Sequence, residues 1–241
     1  MLGEREGAVI AFDGDGTLWS GDVGEDLMHF ACKQRLLKPE AEAALRREAA
    51  RFGISLGAGD ASDLVVALFQ AYLDGRYPER DCCETLSWCY AGFTLDALER
   101  VAHDVLHRTE LRARLTAELA PILKWARDSG VRTVVISASP RTVVEAAAAH
   151  WGFTPADVIA ATPRASGGVV LPEMATPVPY AEMKSRAGRV EFGDAPWLAS
   201  FGDNVFDIEM LQAAELGVAV RPKPKLLARL SELGLPVLSS M

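Results

Sequence analysis

The sequence predicts an α/β fold: a parallel sheet with helices on both faces, interrupted by an inserted helical bundle. Three observations predict it. Short apolar runs of strand length stand far apart, at residues 8–12, 132–136 and 198–201. Helical apolar spacing fills the interval between the first run and the second. Asp, Ser or Gly follows each run at once, and in open parallel sheets reactive groups collect beyond the carboxyl ends of the strands.

The first run, Ala8-Val9-Ile10-Ala11-Phe12, reads as a buried strand and leads straight into Asp13-Gly14-Asp15-Gly16-Thr17-Leu18. Carboxylates two residues apart beyond a strand end reach one small volume. Residues 25–37, 39–52, 62–73, 80–90 and 94–108 then show helical spacing, with breaks at Pro39, at Gly57 and Gly59, at Gly75 and Pro78, and at Gly92. Helices without a convincing strand mark residues 22–110 as an inserted bundle, so the α/β core comprises residues 1–21 and 111–241. Residues 110–129 read as one more helical stretch, with Pro121 as its candidate break. Gly130 leads into the second strand, and Ser137-Ala138-Ser139 follows it with a hydroxyl and free amides. A helix starts near Pro140 and carries the alanines of residues 146–149. Lys184 lies in Tyr180-Ala181-Glu182-Met183-Lys184, and the last apolar run ends in Gly202-Asp203, with Asp207 four residues on.

Asp13, Asp15, Asp203 and Asp207 need one explanation. Two bare carboxylates about 4 Å apart repel by roughly 4 kcal/mol at an effective dielectric near 20, so a convergent acidic cluster needs a proton or a cation. Oxygen-only ligands select a hard cation, and Mg²⁺ suits a site that leaves room for water and phosphate. Ser137 offers donors to phosphate oxygens, and Lys184 offers a point positive charge. Alone, Asp203 and Asp207 read as a loop and a helix cap, and Ser137 as a cap. Unrelated caps have no reason to follow the apolar strands in this order.

The order Asp-x-Asp-x-Thr, Ser after a strand, Lys, then Gly-Asp-x-x-x-Asp resembles the haloacid dehalogenase superfamily, and within it the phosphatases of the phosphoserine phosphatase type with a helical cap. Residues 8–21 and 112–221 carry the likeness. It implies a Rossmann-like core under a cap formed by the inserted bundle, and hydrolysis of a small phosphomonoester through an aspartyl-phosphate intermediate with Mg²⁺. Asp13 takes the place of the nucleophile, and Asp15 that of the general acid and base. Thr17 holds that turn at the phosphate, and Ser137 and Lys184 match the phosphate-binding Ser and Lys. Asp13, Asp15 through its backbone carbonyl, and Asp203 match the Mg²⁺ ligands, with Asp207 in support. Halide needs no proton to leave, so an acid at position 15 argues for a phosphate ester.

Substrate selection would lie in the cap. Asp22 stands where the phosphoserine phosphatases carry a Glu for the substrate's amino group. Their cap Arg, which meets the carboxylate, has Arg51 as its best-placed counterpart here, then Arg46 and Arg47; the alternative is that these arginines solvate the outside of the 39–52 helix. Phe206 replaces a polar Asn of that branch. Phosphoserine or another amino-bearing ester is the first substrate expectation. Trp19, Trp88, Tyr90 and Phe93 with Asp22 suggest phosphocholine or phosphoethanolamine as a second, against the alternative that these aromatics are core. A phosphosugar mutase of the same superfamily and, from different classes, a phosphoacceptor signalling module and a binding protein that kept the motifs but lost turnover are the remaining readings; the intact motif set speaks against the last. Asp15 and the inserted helices speak against the module.

Composition agrees with an enzyme on small molecules. A chain of 241 residues with 49% apolar content can bury a large core, and a net charge of −8 argues against nucleic acid or an anionic membrane as partner. No apolar run approaches a membrane span, and Met1-Leu2-Gly3-Glu4-Arg5-Glu6 lacks the pattern of a signal peptide, so a cytoplasmic monomer or homodimer is the expectation. Cys32, Cys82, Cys83 and Cys89 have no CxxC spacing and read as packed thiols. His103 and His107, with Cys83, lack the paired spacing of a structural zinc site.

Overall fold

β1 (Val9–Phe12) is buried along its whole length and forms the centre of a six-stranded sheet in the order β3-β2-β1-β6-β7-β8. The computed structural model describes residues 7–239, so the Met1–Glu6 stretch lies outside the described residues. The other strands are β2 (Arg132–Pro140), β3 (Val158–Ala161), β6 (Trp197–Gly202), β7 (Leu216–Val220) and β8 (Val237–Leu238), and every pairing is parallel. Val, Ile and Ala runs suit such strands because both faces are covered by helices. This is a Rossmann-like α/β sheet, as the sequence predicts.

The strand order positions the site. From β1 the chain steps outward to β2 and β3, then returns to the other side of β1 as β6. Phe12 is in register with Val135 of β2 and with Phe201 of β6, so three carboxyl ends open beside one another where the direction of winding reverses. Ligands of open α/β sheets bind at such a switch point.

Between β1 and β2 lie α1 (Val23–Lys33), α2 (Glu42–Arg51), α3 (Ala61–Leu73), α4 (Glu79–Trp88) and α5 (Leu95–Arg108). Their starts follow local chemistry. Asp22, Asp60 and Thr94 cap α1, α3 and α5 by accepting backbone N–H groups, and Gly92 turns the chain with φ of +89°. The helices share a core with the sheet: one apolar cluster joins Phe12 and Val135 of the strands to Leu27, Leu45, Leu64 and Leu98 of the helices. α1 and α5 pack on α8 (Arg141–Ala148), which covers one face of the sheet.

Two features differ from the sequence expectation. The 110–129 stretch breaks at Leu115 and Thr116, not at Pro121, giving α6 (Leu111–Arg114) and α7 (Ala120–Asp128). Leu115 bridges to Trp19 and the Thr116 N–H donates to the Leu18 carbonyl, so pairing with the loop after β1 outcompetes the helix; Pro121 sits in the first turn of α7, where its missing N–H does no harm. The second feature is an antiparallel hairpin of β4 (Pro163–Ser166) and β5 (Val169–Met174), turned by Gly167 and Gly168, both at positive φ. Val170 exchanges backbone hydrogen bonds with Gly92 and Phe93, tying the hairpin to the loop between α4 and α5. No helix among the described residues is long and apolar enough to cross a membrane.

Candidate active site

Asp13 continues the sheet one residue beyond β1, its N–H donating to the Phe201 carbonyl at 2.9 Å. Its carboxylate is thereby aimed into the switch-point cleft. Thr17 donates its hydroxyl to Asp13 Oδ2 at 3.0 Å, and Lys184 donates Nζ to Oδ1 at 2.6 Å. Lys184 sits in the first turn of α9 (Glu182–Phe192) and is buried, bridging Asp13 to Asp207 Oδ1 at 2.5 Å. Asp207 Oδ2 in turn accepts the N–H groups of Asp203 (3.0 Å) and Asn204 (2.9 Å). Both Asp207 oxygens are occupied in holding the lysine and the loop.

Carboxylate oxygens of Asp13, Asp203 and Asp207 lie within 4.8 Å of one another, and all three residues are buried. Burial raises the Asp13 carboxyl well above its usual range; Asp207 and Asp203 add to this and Lys184 opposes it. Burial likewise pushes Asp203 up to about 6, with Lys223 partly opposing and Asp207 adding. Burial would lower Lys184, but Asp13 and Asp207 outweigh it and raise the ammonium above its ordinary value. Lys184 therefore stays charged, and with the half-exposed Lys223 beside Asp203 it sets two ammonium groups against three carboxylates, so negative charge is left over. An oxygen-only, electron-rich cluster of this kind fits a hard divalent cation.

Gly16 has a definite role here. At φ of +90° it turns toward Asp203, and a Cβ there would overlap the Asp203 carboxylate. Gly16→Ala is expected to displace that carboxylate and weaken binding of a divalent cation at the cluster about tenfold or more, as calorimetric cation titration would show.

Asp15 is held by three donors. Trp19 Nε1 (2.8 Å) and the Val23 N–H (2.7 Å) bond Oδ1, and the Ser139 hydroxyl bonds Oδ2 at 2.7 Å. Sequence reasoning missed Ser139 and this use of Trp19, although the Ser137-Ala138-Ser139 triplet was the available signal. Ser139→Ala removes a hydrogen bond that orients Asp15, worth about 0.5–1.5 kcal/mol, so kcat is expected to fall about 2- to 10-fold in steady-state assays with KM little changed. Ser137 is buried beside Asp13 and Lys184 in the same cleft, its Oγ accepting the Ser139 N–H at 3.1 Å.

Of the residues expected to select substrate, the structure brings Asp22 to the cleft and leaves the arginines outside. Asp22 caps α1 through the Glu25 N–H (2.8 Å) and also lines the cleft. Arg51 is exposed and pairs with Glu48 (2.8 Å) and Asp81 (3.5 Å); Arg46 bonds the Gly57 and Gly59 carbonyls; Arg47 is exposed. Glu48 on its own helix and Asp81 on α4 pair with Arg51 at the surface. Trp19, Trp88, Tyr90 and Phe93 are buried in the shared core. The aromatics at the cleft are Tyr180 and Phe206, with ring centroids 4.6 Å apart, and Tyr72 farther out. Lys223, whose Nζ lies 3.0 Å from Asp203 Oδ2, and Glu79 complete the lining; single charges in a loop and at a helix start carried no pattern in the sequence.

A parallel sheet with buried acids and a buried lysine gathered at its switch point is the architecture of an α/β enzyme. The chain belongs to the haloacid dehalogenase-like hydrolase family, whose pattern matches residues 10–212. No curated protein matches the sequence. Among solved structures, it is similar to a protein of unknown function from Bordetella pertussis Tohama I, at 20% identity and TM-score 0.73 over 96% of this chain and 97% of that one. A functionally unknown protein from Anaerococcus prevotii DSM 20548 aligns at 14% identity and TM-score 0.70 over 98% and 86%. A substrate-bound phosphoserine phosphatase aligns at 14% identity and TM-score 0.55 over 98% and 94%. These likenesses are of fold.

Proposed function

We propose that this hydrolase is a Mg²⁺-dependent phosphatase of small phosphomonoesters that works through an aspartyl-phosphate intermediate. The observation that carries this reading is Asp13 at the strand end, gripped by Lys184 and Thr17, with Asp15 oriented two residues on. Asp13 and Asp203 would hold the cation, with the Asp15 carbonyl completing the set of protein ligands, and Mg²⁺ supplies charge neutralisation for phosphate oxygens there.

In the first half-reaction an Asp13 carboxylate oxygen attacks phosphorus, and the ester P–O bond breaks. Asp15 gives its proton to the departing alkoxide. In the second, Asp15 takes a proton from water as the water oxygen attacks phosphorus, releasing inorganic phosphate and restoring the Asp13 carboxylate. A carboxylate nucleophile thus splits one difficult displacement into two. Lys184 and the Ser137 hydroxyl bind the equatorial phosphate oxygens, where charge stabilisation matters most. Asp207 positions Lys184 and the Asp203 loop. The inserted helices act as a cap that excludes water and shapes the leaving-group side.

The test is phosphate release from a panel of small monoesters with Mg²⁺ and with EDTA. Turnover that EDTA abolishes and Mg²⁺ restores is the expected result. A folded, Mg²⁺-supplied protein that releases no phosphate from any ester would overturn the reading.

A further inference from the structure

The phosphate cleft opens, past Asp15, into a second chamber between the sheet and the inserted helices. The two spaces share Asp22, Glu79, Cys83 and Ser139, and Ser139 is the residue bonded to Asp15. The acid that protonates the leaving oxygen therefore stands at the junction, and the chamber is where the leaving group goes. Its cavity volume is about 60 Å³, room for only a few water-sized groups, so that group is small.

The lining has two kinds of residue. Asp22, Glu25 and Glu79 bring carboxylates. The Asp22 carboxylate bonds only backbone N–H groups and forms no ion pair among the described residues. Burial, then the neighbouring Asp15, raises it well above the usual carboxylate range. Tyr72 and Phe69 form one aromatic pair on the chamber, with centroids 5.6 Å apart; Tyr180 and Phe206 form another in the cleft, and Phe206 shares the outer mouth with Tyr72, Asp22, Glu25 and Glu79. Tyr180 and Glu79 both line the cleft. Aromatic faces beside carboxylates bind ammonium groups.

What would meet a carboxylate is missing from the same walls. No arginine lines the cleft or the chamber among the described residues. Lys223 is paired with Asp203, and Lys225 lines only the outer mouth. We infer that the substrate's leaving group is a small alcohol bearing a cationic amine and no carboxylate, of the ethanolamine or choline kind, held by Asp22, Glu25 and Glu79 between the Tyr72 and the Tyr180–Phe206 rings. The inference rests on the phosphatase reading and adds the leaving-group class to it.

The experiment compares kcat/KM for phosphoethanolamine, phosphocholine, phosphoserine and the uncharged ethyl phosphate, with Mg²⁺. The amine esters are expected to exceed ethyl phosphate, and phosphoethanolamine to exceed phosphoserine, each about tenfold or more. Asp22→Asn keeps a cap-forming side chain but loses the charge, and Glu79→Gln does the same at the opposite wall. Each is expected to shrink the amine-to-ethyl ratio several-fold, while melting temperature reports that the variant is folded. Ethyl phosphate or phosphoserine turned over as well as the amine esters would overturn the inference and leave the phosphatase intact. A preference for phosphoserine would assign Lys223 to a carboxylate instead. Loss of turnover on every ester would remove both.

Discussion

Asp13→Asn is expected to abolish phosphate release, by about 10⁴-fold or more, while leaving the protein folded. The amide is isosteric but is a poor nucleophile, and no neighbouring group replaces it: Asp207 is committed to Lys184 and two backbone amides, and Asp203 comes from a different strand end. The variant also removes one charge from a buried acidic cluster whose members raise one another, so its melting temperature is expected to equal or exceed that of the wild type without Mg²⁺. Loss of activity with retained stability separates a chemical role from a structural one. Mass spectrometry after rapid acid quench should find phosphate on wild-type Asp13 and none on the variant. Turnover near the wild-type rate in Asp13→Asn would remove the aspartyl-phosphate mechanism.

Lys184→Met is expected to damage stability as well as rate. The ammonium is buried and bridges Asp13 and Asp207 at 2.6 and 2.5 Å, so its removal leaves two buried carboxylates without their partner. Breaking a buried pair from one side costs about 3–5 kcal/mol, which in a chain of this size lowers the melting temperature by roughly 6–20 °C. Rate should fall about 10²- to 10³-fold, the scale of losing one preorganised charge at a developing anion. Adding Asp207→Asn to Lys184→Met removes one orphaned charge and should recover part of the stability but none of the rate. A melting temperature unchanged by Lys184→Met would mean that the buried bridge contributes nothing to folding.

These two residues show how differently the site was legible. Asp13 could be placed from sequence because its context is local: an apolar strand run ends one residue earlier, and a strand end in a parallel sheet is already an address. Asp203 was legible for the same reason, and Ser137 too. Lys184 was legible only by its order among the motifs, since nothing in its own helix says it is buried. The helices of residues 23–108 were readable from spacing and breaks, whereas the 163–174 hairpin passed unread, its signal confined to Gly167-Gly168 between short runs. The break at Leu115 was misplaced because it is set by pairing with Trp19, a partner nearly a hundred residues away.

By itself the sequence determined the class of fold, the parallel strand ends and the set of acids that must gather there, because periodicity and motif order are properties of short stretches of chain. Only the tertiary structure decided that Lys184 meets Asp13 across 171 residues, that Ser139 steadies Asp15, that Arg51 faces outward to Glu48 and Asp81, and that the rings lining the cleft and its mouth are Tyr72, Tyr180 and Phe206. The reason is physical. A charged or aromatic side chain is placed by whatever opposite charge or open wall the packed helices and sheet bring to it, and no local pattern encodes which distant partner that will be.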